Sequence, residues 1–101
     1  MIGAALLDHH PLAFLPGGRW ERILGACVAA DRPLTRRELR DAAGSGRHPL
    51  CVERAKILRA TRNMARAGLL QRVVLPDGVG AFEATRAGYR ALVEQSPSRA
   101  A

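Results

Sequence analysis

The sequence predicts a mainly α-helical domain with one small β-hairpin, and three observations carry that prediction. Thr35 and Glu38 stand three residues apart at the head of a short amphipathic stretch, the spacing of a capping box. Residues 50–67 repeat apolar side chains at helical spacing between Pro49 and Gly68, which suit the first turn and the stop of one long helix. Residues 71–75, with β-branched Val73 and Val74 and apolar Leu75, then meet Pro76-Asp77-Gly78 and return as residues 79–84, the pattern of a hairpin. A chain of 101 residues has room for one modest core and not two. Its 48% hydrophobic and 25% charged residues place it among globular rather than disordered chains.

Each element follows in order. Residues 1–18 are apolar, interrupted by Pro11, Pro16, Gly17 and Gly18, and show no periodicity. They read as an N-terminal arm that packs on the body or on a second copy. Trp20, Ile23, Leu24, Cys27 and Val28 share one helical face, and Asp31-Arg32-Pro33 ends that helix. Leu34 and Leu39 flank the capping box as a hydrophobic staple. The second helix is expected to turn Leu39, Ala42 and Ala43 inward and to stop at Gly44. Residues 45–49 form a loop. In the long helix Ile57, Ala60, Thr61 and Met64 fall on one side, while Arg59, Arg62 and Arg66 fall opposite, flanked by Lys56 and Asn63. Leu69 and Leu70 return to the core. Thr85 caps a last helix expected to bury Tyr89, Leu92 and Val93, and residues 96–101 read as a flexible tail. The domain proper thus spans residues 19–95.

Charge narrows the function. Lys plus Arg number 16 against 9 Asp plus Glu, for a formal +7, and nearly all the cations are Arg. Arginine binds phosphate and guanine edges bidentately. Only Glu53 offsets the run from Arg47 to Arg72. Cys27 and Cys51 are too few and too far apart for a disulfide framework or a Cys-x-x-Cys site, which fits a reducing cytoplasm. The N-terminus lacks a basic n-region and meets Asp8 early, and no run approaches the roughly 18 apolar residues of a membrane span, so a cytoplasmic protein is expected. No nucleophile–base motif, phosphate loop or paired carboxylates stand out, so neither an enzyme nor a cofactor is expected. His9-His10 beside Asp8 makes a weak metal site, and none is expected there. His48 stands alone in a loop as a turn or phosphate-contact residue. Aromatic residues at 4% supply few stacking platforms for single strands or RNA, and Trp20 and Tyr89 read as core.

Three stretches carry a family resemblance. Leu34-Thr35-Arg36-Arg37-Glu38-Leu39 resembles an L-T-x-x-E-L helix opening, and Met64-Ala65-Arg66-Ala67-Gly68-Leu69-Leu70 resembles an L-x-x-x-G-L-[VIL] helix exit. Phe82-Glu83-Ala84-Thr85-Arg86-Ala87-Gly88 is similar to a [YF]-x-L-T-x-x-G segment. In this order they resemble the winged helix-turn-helix domain of bacterial transcriptional regulators such as the MarR and PadR classes, over about residues 19–95. The linker from Gly44 to Leu50 is longer than that pattern's tight turn, and Ala60, Met64 and Ala84 replace its larger aliphatic residues. The long dimerisation helices of the MarR class have no counterpart.

The resemblance implies a three-helix core, a wing and a C-terminal helix. It also implies double-stranded DNA binding, with residues 50–67 as the recognition helix in the major groove. On that reading Arg59, Arg62 and Arg66, with Lys56 and Asn63 beside them, face bases, since Arg can read guanine and Asn adenine. Arg47 and Arg54 suit phosphates, as do Arg36 and Arg37 at the start of the second helix, whose dipole favours an anion. Arg72 lies on the wing, whose acidic tip at Asp77 counts against deep insertion. A small repressor acting as a homodimer, through residues 1–18 and the last helix, is the expected form. A winged-helix module for protein contacts and an RNA-associated binder are the alternatives.

Overall fold

The computed structural model describes residues 17–95. Of the arm expected over residues 1–18, residues 1–16 lie outside the described residues, as do His9-His10 and the tail expected at 96–101, while Gly18 caps the first helix. Helices α1 (Arg19–Ala30), α2 (Arg36–Ala43) and α3 (Leu50–Arg66) precede strands β1 (Leu70–Val74) and β2 (Gly80–Ala84), and α4 (Arg86–Gln95) follows. The architecture is mainly helical with a two-stranded antiparallel hairpin.

Local chemistry sets most boundaries. Helix α1 ends at Asp31, which adopts a left-handed φ of 54° and donates its N–H to the carbonyls of Cys27 and Val28. At α2 both halves of the capping box form. The Glu38 N–H donates to Thr35 Oγ1 at 3.2 Å, and the Thr35 N–H donates to Glu38 Oε1 at 3.0 Å. Arg32 adds a 2.8 Å ion pair to the same carboxylate. Leu34 and Leu39 are buried on either side of the box, as a staple requires. The exit of α3 is a Schellman motif. Leu69 donates to the Met64 carbonyl and Gly68 to that of Ala65, with Gly68 at φ 81°.

The hairpin registers Leu70 with Ala84 and Val74 with Gly80. Its strands begin within a residue or so of the expected limits, the usual scatter of element ends. At the tip, Gly78 donates to the Leu75 carbonyl, takes φ 88°, and lets Leu75 pair with Val79 across a three-residue loop. On its other edge β2 holds the segment between α1 and α2, because Leu34 and Phe82 exchange two backbone hydrogen bonds of 2.8 Å. The start of α2 is therefore fixed beside the hairpin. Arg22 Nε ties α1 to the end of α2 through a 3.0 Å bond to the Ala43 carbonyl.

The core gathers Ile23 and Leu24 of α1, Leu39 of α2, Ile57 and Met64 of α3, and Phe82 of β2. Helix α4 joins it by close backbone approach. A Cβ on Gly88 would collide with the Leu69 carbonyl and stand 3.0 Å from Leu24 Cδ2. The Thr85 hydroxyl donates to the Gly68 carbonyl at 2.6 Å and accepts the Gly88 N–H at 3.0 Å, which pins the start of α4 to the exit of α3.

Two expectations about inward faces fail. Tyr89 and Val93 are 53% and 51% exposed, while Leu92 and Ala91 are half-buried against the core. Seating α4 through Gly88 explains this, since at about 100° per residue Tyr89 and Val93 are turned well away from the contact. Ala42 is also exposed, because the buried pair of α2 is Leu39 and Ala43, one turn apart. Among the described residues no helix is long and apolar enough to cross a membrane.

Candidate nucleic-acid interface

Helix α3 separates its chemistry cleanly. It buries Glu53, Ile57, Ala60, Thr61 and Met64. Arg54, Arg59, Arg62 and Arg66 are all exposed. Half-buried Lys56 and Asn63 lie at one edge of the exposed face, with Arg54 and Leu58 at the other. Seventeen residues of helix make this a rod about 25 Å long.

Glu53 is the one acid in the basic run, and the fold takes it inward to 5% exposure. The Ser45 hydroxyl donates to Glu53 Oε2 at 2.9 Å. That bond holds the carboxyl below its ordinary range, against the opposing effect of burial, with help from the Ser45 and His48 backbone. Gly44 makes room, since a Cβ there would lie 3.1 Å from Glu53 Oε1. The loop between α2 and α3 thus ends in a clasp around the carboxylate. The outer face keeps its positive charge undiluted.

The other expected contacts divide. Arg37 and Arg47 are exposed, the latter in the loop before α3. Arg36, expected at the exposed start of α2, is half-buried. Its Nε donates to Thr61 Oγ1 at 3.1 Å, and its guanidinium sits 4.9 Å from the centre of the Phe82 ring. Burial foremost, then the charges of Arg72 and Arg62, push its pKa down, so these three cations share one region. Arg36 is a strut joining α2, α3 and the hairpin. Arg72 is exposed and lies over Gly80, where a Cβ would stand 2.9 Å from its Nη2. Asp77, at the tip, is occupied in accepting the Val79 N–H at 3.0 Å.

Arg40, Leu50 and Leu58 were not among the expected contacts. Arg36, Arg37 and Arg40 of α2 face Leu50, Arg54, Ile57 and Leu58 of α3 across a cleft of about 510 Å³, and none of these lining residues is acidic. Leu50 and Leu58 stand 57% and 36% exposed there. Leu50, Arg54 and Leu58 recur every four residues, as do Arg36 and Arg40, so each stripe was present in the sequence. That the stripes face each other was not.

The remaining candidates carry little. Cys27 is buried, its thiol 3.7 Å from the Phe82 carbonyl, and burial with nearby Glu83 pushes its pKa up to about 11. It stays a protonated core group. Cys51 and His48 are exposed. Among the described residues no group of three or more His, Cys, Asp or Glu could hold a metal ion. Compared with protein-family models, curated proteins and solved structures, the chain finds no match.

Proposed function

We propose that residues 19–95 form a winged helix-turn-helix domain that binds double-stranded DNA sequence-specifically, with α3 in the major groove. The observation that carries this is the polarity of α3. Its sole acid is clasped on the inner side while Arg54, Arg59, Arg62 and Arg66 project outward. B-DNA's major groove admits one such helix, and guanidinium groups supply both phosphate neutralisation and guanine readout.

The winged assignment draws support from the order of elements and from the Leu34–Phe82 bridge, which sets the hairpin beside the start of α2. Arg37, Arg47 and Arg72 then reach phosphates on either side of α3. Action as a small cytoplasmic repressor in homodimeric form fits the two-fold symmetry of typical operators. Exposed Tyr89 and Val93 give α4 an apolar surface for the second copy.

The test is a titration of the full chain against duplex DNA at rising salt. A steep fall in affinity is expected, and R59A or R62A should each cost about 1–3 kcal/mol on a selected site. Binding indifferent to salt and to both variants would remove α3 as the reader. It would favour the protein-contact reading, for which the apolar side of α4 is the specific observation.

A further inference from the structure

The outer face of α3 is more than a positive surface. Leu58, 36% exposed, lies one turn after Arg54 and one turn before Arg62, and Ala55 is exposed nearby. Across the cleft Leu58 faces Arg36 and Arg37. A surface built only to hold phosphates gains nothing from an aliphatic side chain among guanidinium groups.

Hydrogen-bond chemistry narrows what such a face can read. Arginine has donors and no acceptor, and the one carboxylate of α3 is turned inward. The side of the face that carries Leu58 therefore offers nothing to accept the N4–H₂ donor of cytosine, Asn63 lying at the opposite edge. Guanine presents two acceptors in the major groove, and thymine presents the O4 acceptor beside its C5-methyl group. Donors flanking an exposed aliphatic group match those two base edges.

We propose that Leu58 packs on the C5-methyl group of a thymine, and that the duplex recognised has this thymine next to a guanine read by Arg62. The inference rests on the DNA-binding reading and adds a specific base to it. Leu58 determines specificity and contributes no charge.

The experiment uses the full chain and a duplex selected by it from a random pool. Each thymine in that duplex is then replaced singly by deoxyuridine, which removes only the methyl group. At one position affinity should fall about fourfold, the equivalent of one buried methyl at ~0.8 kcal/mol. L58A should abolish that difference while leaving the salt dependence unchanged, and R62A should weaken binding to both duplexes by the same factor. The deoxyuridine arm needs no protein variant, so it does not depend on how L58A folds. Salt-dependent binding with equal affinity for every thymine and deoxyuridine duplex would overturn the inference and leave the DNA-binding reading standing. So would a selected site without thymine, or a discrimination that survives in L58A. Failure of the wild-type chain to bind any duplex would remove both.

Discussion

Helices α3 and α4 meet the same core in different ways and present different mixtures of side chains to the outside. Helix α3 sends in aliphatic side chains and its own carboxylate, and presents arginines. Helix α4 sends in a glycine with half-buried Ala91 and Leu92, and presents Tyr89 and Val93 among Arg86, Arg90 and Glu94. The outer surface of α3 is dense in cations that salt screens, while that of α4 sets two apolar side chains among charges of both signs.

The largest expected effect breaks α4's seat. G88V drives a branched side chain into the Leu69 carbonyl and Leu24, and should cost about 3 kcal/mol in urea unfolding. A loss below about 1 kcal/mol would mean that α4 is not held through this contact. R59A is the counterpart on α3. Its loss of about 1–3 kcal/mol should appear in DNA binding, while unfolding shifts by less than about 0.5 kcal/mol. Equal losses in both measurements would merge the two roles.

Y89D sharpens the comparison from the other side. Sedimentation should show a dimer converted to monomer, with the unfolding midpoint of the dilute chain little changed. A wild-type chain already monomeric at high concentration would end the dimer reading of α4.

The smallest effect is electrostatic and lies at the α2 cap. Glu38 is pushed down to about 2 by its hydrogen bond to Arg32 first and by the Thr35 N–H, from an ordinary value of 4.5. A depressed carboxyl stabilises the fold above its unfolded pKa, and this contribution disappears as pH falls from about 4.5 through about 2. E38Q should flatten the acid limb of stability in that window. Because Arg32 and Glu38 are both well exposed, the change should be modest. An unaltered acid limb would show that the pair contributes nothing measurable.

What was legible followed contact range. Thr35 and Glu38 named the start of α2, and Gly68 the end of α3, because caps are completed within a few residues of backbone. Ile57, Thr61 and Met64 fixed the inner face of α3, since an amphipathic stripe that long admits one orientation. Tyr89 and Val93 misled for the same kind of reason. In ten residues two apolar stripes compete, and the choice fell to Gly88, whose use as a contact surface depends on Leu69 and Leu24.

The sequence alone therefore determined the order of elements, their caps, the hairpin turn and the positive side of α3, all consequences of short-range hydrogen bonding and periodicity. The tertiary structure decided the rest. It turned Glu53 inward against Ser45, made Arg36 a strut on Thr61 and Phe82, set Leu58 among arginines of two helices, and rotated α4 on Gly88. Each of those depends on which groups meet across the core, and that is set by packing between segments distant in the chain.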